Sequence, residues 1–216
     1  MTSHFILDKD TGITALKKAA GYIVSCQIQT GQIPEHPGAH VHAWNHIESA
    51  MALTVAGYLK QAQHAYRWFH TIQQDNGAWW AEHVKYPLHI QPHFIGYIAV
   101  GLWHYYCCTN DHSFLQELWP VIERAFNFLI SIQAAEGVFT WALDSKLNPC
   151  DDYLLTTNAC LFTCFESALA CAELMHLAKP EWEKARTALL CALQSKPHLF
   201  NTSKQRYAMN WFYPIL

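Results

Sequence analysis

The chain has 216 residues, is 51% hydrophobic and 14% charged, and carries a formal charge of −3. That is enough material for one sizeable core, and so weak a negative balance leaves no footprint for nucleic acid or an anionic membrane surface. No charged leader runs into an apolar stretch at 1–18, and the longest apolar tracts, 94–103 and 159–172, are too short or are broken by Glu166, so neither a signal peptide nor a membrane span is expected.

In chain order the apolar pattern predicts seven helices of two alternating kinds. An amphipathic helix over about 13–28 precedes one over about 42–57 whose single charged side chain is Glu48. A second amphipathic helix, about 59–74, is followed by 92–109, and residues 93–108 contain no Asp, Glu, Lys or Arg. The third amphipathic helix, about 113–133, places Leu115, Leu118, Ile122, Ala125, Leu129 and Ile132 on one stripe, with Pro120 expected to open a helical turn. An apolar helix at about 154–177 and an amphipathic one at about 180–195 complete the series, and Tyr207–Leu216 reads as the start of another apolar helix. Helices that are apolar all round must be sheathed by protein, so the uncharged ones form an inner layer and the amphipathic ones an outer layer. The expected fold class is all-α, an α/α toroid or an open arc of α-hairpins. It forms one repeat domain over 1–216 that lacks the last hairpins of a full ring. The apolar C-terminal edge calls for a second copy or a partner domain to cover it.

A repeated pattern supports that architecture. Ala19, Tyr22, Ile23, Gln27, Gly31 and Ile33 recur as Ala65, Trp68, Phe69, Gln73, Gly77 and Trp79, and again as Ala125, Phe128, Leu129, Gln133, Gly137 and Phe139. A worn fourth copy keeps Leu189, Leu190, Gln194 and Phe200, with His198 in place of glycine. The expected mechanics are a glutamine in the last helical turn, bonding carbonyls of its own helix end or of a neighbouring loop, and a left-handed glycine cap. The 8 cysteines fall mostly inside apolar helical segments, which reads as reduced thiols in a cytoplasmic protein.

The motif at Trp68–Trp79 resembles the QW repeat of squalene–hopene cyclases, whose toroid is shared by prenyltransferase β-subunits; the stretch 44–79 is also similar to prenyltransferase-like bacterial proteins. The run Tyr97-Ile-Ala-Val-Gly-Leu-Trp-His with Phe114-Leu and Leu118-Trp-Pro resembles six-hairpin glycosidases of the glucoamylase type. The cyclase resemblance implies a catalytic Asp-x-Asp-Asp before an inner helix. Here Pro149-Cys150-Asp151-Asp152 stands in that place with its first Asp missing, and the same two carboxylates also suit a helix N-cap.

In such a ring every inner helix starts at the same rim, so 40–48, 87–93 and 149–158 should converge. Glu48, Asp151 and Asp152 are the candidate catalytic carboxylates, because a lone carboxylate on an apolar helix, or a pair across a ring, suits general acid work. Trp44, Asn45, His46, Trp79, His93, Tyr97, Asn158 and Trp211 are the candidate substrate contacts. No cofactor is required, though His42 with His46 and His89 with His93 have the one-turn spacing of a divalent metal chelate. The aromatic content and the repeat resemblance lead to an enzyme acting on a small apolar or isoprenoid substrate. Two alternatives stand beside it: a carbohydrate-active hydrolase or epimerase using paired carboxylates, and a non-catalytic interaction module.

Overall fold

Among the described residues, the apolar stripes of the second to fourth amphipathic helices are covered by a neighbouring inner helix. The computed structural model describes residues 9–83, 89–150 and 152–201. Its outer helices are α1 (Lys9–Cys26), α3 (Leu59–Thr71), α5 (His112–Ser131) and α7 (Pro180–Ser195); its inner ones are α2 (Ala43–Val55), α4 (Pro92–Thr109) and α6 (Leu155–Leu174). The inner helices lie side by side, α4 between α2 and α6, while α3, α5 and α7 pack on α2, α4 and α6 respectively. This is an arc of α/α hairpins, the class expected. The stripe of α5 is wider than predicted, since Phe114, Trp119, Val121, Phe126 and Phe128 are buried as well. An outer helix held between successive hairpins must cover both.

Two glycines set how closely the inner layer packs. A Cβ on Gly96 would sit 2.8 Å from the Cβ of Cys164 in α6, and one on Gly101 would sit 2.6 Å from Ile47 Cγ2 in α2. Helix α4 thus touches α6 through one glycine and α2 through the other, and the helix tolerates their low propensity because packing supplies its stability. By length and composition α6 would pass for a membrane helix, yet most of it is buried among protein side chains. Pro120 lies inside α5 rather than at its first turn; the start is capped by Asp111, whose Oδ1 accepts the Phe114 N–H at 3.0 Å.

The repeated glutamines and glycines act across hairpins. Gln27 Nε2 donates to the carbonyls of Gly31 and of Gln61 in α3, both at 3.0 Å. Gln73 does the same to Gly77 at 2.9 Å and Val121 at 3.1 Å, and Gln133 to Gly137 and Ala185, both at 2.9 Å. Each glutamine therefore ties its own loop to the next outer helix. These glutamines follow the helix ends instead of occupying the last turn, and the glycines sit in the loop beyond and not at the C-cap. Left-handed backbone is needed all the same: φ is 99° at Gly31, 94° at Gly77 and 90° at Gly137. Gln194 of the fourth copy is exposed, and among the described residues no outer helix follows it.

The connections into the inner helices are long, and they pair with one another. Strand β1 (Val41–His42) is antiparallel to β2 (Glu82–His83), and β3 (His89–Ile90) to β4 (Leu143–Asp144). Ala43 N–H donates to Ala81 O and Ala81 N–H to His89 O, both at 2.9 Å, while Tyr153 bridges Phe200. The starts of α2, α4 and α6 are thereby stitched into one rim.

Candidate active site

The described mouth is built where α2 and α4 begin. Trp44 of α2 and Tyr97 of α4 stack face to face, centroids 3.8 Å apart and planes 11° from parallel. Tyr97 Oη donates to Glu48 Oε1 at 3.3 Å, and Glu48 is exposed. Trp44 also meets His93 at 5.6 Å and Phe94 at 5.7 Å, and His42 packs edge-on against Phe94 at 4.8 Å. Burial, with a smaller push from His42, lowers the His93 pKa to about 3, and burial also lowers that of His42. Both rings are thus neutral near pH 7, and their Nδ1 atoms are buried without a hydrogen-bond partner. Beside them Asn45 Nδ2 donates to Glu35 Oε1 at 2.9 Å, and His40 Nε2 lies 3.7 Å from Glu35 and 4.0 Å from Glu82. The loop carboxylate Glu35 was not singled out in the sequence; the segment 34–40 has no periodicity, and only its place before an inner helix hints at the rim.

Several other predicted contacts turn out to be internal ties. His46 is fully buried: Nδ1 accepts the Ile33 N–H at 3.3 Å, Nε2 donates to Ala65 O at 3.0 Å, and the ring stacks on Phe69. Asn158 is its counterpart in α6, accepting the Phe139 N–H at 2.8 Å and donating to Phe139 O and Leu154 O at 2.9 Å. Trp79 is buried against Phe69, centroids 4.6 Å apart, with Nε1 on Phe69 O at 2.8 Å. None of the three is open to a substrate. With both ring nitrogens of His46 engaged, the four-histidine chelate does not form; His89 Nε2 sits 3.0 Å from Gln91 Nε2, and no three His, Cys, Asp or Glu side chains among the described residues gather as metal ligands.

Asp152 is buried on the rim, its backbone carbonyl accepting the Trp141 N–H at 3.1 Å. It does not cap α6. The helix starts after Leu154, and Asn201 Oδ1 instead accepts the Leu155 N–H at 3.0 Å. Asp151 and Trp211 lie outside the described residues, as does the C-terminal edge for which a partner was expected. Glu166 is spent on Arg186, Oε1 to Nη1 at 2.7 Å, in a groove of about 410 Å³ that runs from the C-terminal half of α6 to the start of α7.

Solved structures place this arrangement among known folds. An unsaturated glucuronyl hydrolase from Bacillus sp. GL1 superposes with a TM-score of 0.62 at 11% identity, over 88% of this chain and 58% of that one. A D-mannose isomerase superposes at 0.61 and 11%, over 88% and 52%. The fold is the six-hairpin type of α/α toroid. At these identities the likeness is one of fold, and the six-hairpin fold serves both a hydrolase and an isomerase. In sequence, the chain is 36% identical over 203 residues to an MMP endo-(1,4)-3-O-methyl-alpha-D-mannosidase of Mycolicibacterium hassiacum, a match spanning 93% of this chain and 56% of that protein. The chain therefore covers little more than half the length of the relative it matches. No protein-family model matches it.

Proposed function

We propose that this chain provides the sugar-binding and acid-bearing half of a glycoside hydrolase acting on (1→4)-linked, O-methylated α-mannose chains. The observation that carries the reading is the 36% identity to the mycolicibacterial mannosidase across nearly the whole of this chain. In it, Glu48 protonates the glycosidic oxygen as the C–O bond breaks, and Trp44 offers an aromatic face to a sugar ring. The partly exposed aromatic wall of Trp44 and neutral His93 suits a methylated sugar, which presents more apolar surface and fewer hydroxyls than its parent. Hydrolysis needs a second carboxylate, about 5–5.5 Å away for retention or about 6.5–9.5 Å for inversion. Of the carboxylates predicted from the sequence as partners of Glu48, Asp152 is the described one on the same rim. We place the protein in the cytoplasm because all its cysteines except Cys150 sit within helices.

The isoprenoid reading loses its footing here. Trp79, one of the aromatic residues expected to meet the substrate, is buried with its indole N–H on Phe69 O, and the protein matched in sequence is a mannosidase. The test is incubation with a (1→4)-linked 3-O-methyl-α-mannose oligosaccharide, with products followed by mass spectrometry. Shorter methylmannose oligomers are expected from the wild type, and loss of about a hundredfold or more in rate from Glu48→Gln. An intact substrate, or equal cleavage by both proteins, overturns the proposal.

A further inference from the structure

Tyr97 rises from α4 but makes its two defining contacts on α2. Its ring is covered by Trp44 at 3.8 Å, and its hydroxyl reaches Glu48 Oε1 at 3.3 Å. Trp44 and Glu48 stand one helical turn apart on α2, so a single tyrosine spans both. A near-parallel stack fixes the plane of the phenol, and with it the plane in which the O–H prefers to lie. Trp44 is itself wedged against His93 and Phe94. An exposed glutamate otherwise spreads over several rotamers, and ordering it costs conformational entropy.

We propose that Tyr97 is a positioning residue for Glu48: it holds the carboxyl by Oε1 and leaves Oε2 to exchange a proton with the glycosidic oxygen. This rests on reading Glu48 as the general acid. As Oε2 gives its proton to the departing oxygen, negative charge spreads over the carboxylate, and the hydrogen bond from Tyr97 strengthens in step. Tyr97 keeps its own proton throughout. An interaction that grows as the bond breaks acts on kcat and leaves KM nearly alone.

The test compares Tyr97→Phe, which keeps the stack and removes the hydroxyl, with wild type and Glu48→Gln on two substrates. One has a natural sugar leaving group; the other is the matching nitrophenyl glycoside, whose leaving group needs no proton. Tyr97→Phe is expected to lower kcat by about tenfold on the natural linkage, with KM within about twofold, and to match wild type on the nitrophenyl glycoside. Glu48→Gln should follow the same pattern with a larger loss. Unchanged kcat in Tyr97→Phe, or the same loss on both substrates, overturns the positioning role while leaving Glu48 as the acid. Wild-type cleavage of the natural linkage by Glu48→Gln, or no cleavage by the wild type, overturns the proposed function itself.

Discussion

His46 and Asn158 hold equivalent stations, each the fourth residue of its inner helix and each accepting the backbone N–H of the hydrophobic that closes a repeat, Ile33 or Phe139. In the sequence they look like rim ligands, because a polar side chain in the first turn of an apolar helix has two uses. What decides between them is a backbone group 13 or 19 residues away, which no local pattern reports. The histidine carries a testable consequence. Burial lowers its folded pKa from 6.5 to about 4. Between those values the unfolded chain binds a proton that the folded one refuses, so stability falls as pH drops from about 6.5 towards 4 and is flat above that window. The loss attributable to His46 is about 3 kcal/mol, and His93, lowered further still, acts in the same direction. Urea unfolding at pH 7 and pH 4.5 should show it, and His46→Gln should lessen the difference while leaving the share that His93 contributes; an equal drop in the variant would remove His46 as a cause. Glu48 was legible as the lone charge of α2, whereas the long-range cap on α6 from Asn201 was not, since the two adjacent aspartates offered a nearer answer.

At the scale of elements, periodicity located all seven described helices, with ends that shift by a few residues where turns tighten. The glutamine tie and the left-handed glycine of the repeat were legible, but where each sits relative to its helix end was not. Helix ends and loops share the same glutamine and glycine signals, and only the fold shows that the glycine faces the next outer helix. A Cβ on Gly77 would stand 2.3 Å from the Arg124 carbonyl, with φ at 94°, whereas Gly38 has φ 82° and nothing within 4 Å. Gly77→Ala must therefore bear strain and a backbone clash together, and is expected to cost about 3 kcal/mol or more. Gly38→Ala bears the strain alone, at about 1 kcal/mol. Chemical denaturation of both measures the difference, and equal costs would mean that the glycine in the repeat serves only its turn.

For the whole molecule, the alternation of uncharged and amphipathic helices was sufficient for the toroid class, because sheathed helices have few other architectures open to them. The chemistry was not legible in the same way. A ring of hairpins presents the same repeats and the same aromatic interior whether it encloses a lipid or a sugar, so the resemblance through Trp68–Trp79 pointed to one set of proteins and the sequence match to another. What favours the sugar is the sequence match; the paired connections bring His42, Trp44, Glu48, His93 and Tyr97 to one mouth, while His46, Trp79 and Asn158 are withdrawn into the core.

Calorimetric titration of a (1→4)-linked 3-O-methyl-α-mannose oligosaccharide into catalytically silenced Glu48→Gln protein, with and without Trp44→Ala, tests most directly whether that mouth holds sugar. Removing the indole should weaken binding about tenfold, while Glu173→Gln in the distant groove between α6 and α7 should leave it unchanged. Affinity that survives loss of Trp44, or that falls with the change at Glu173, contradicts the account.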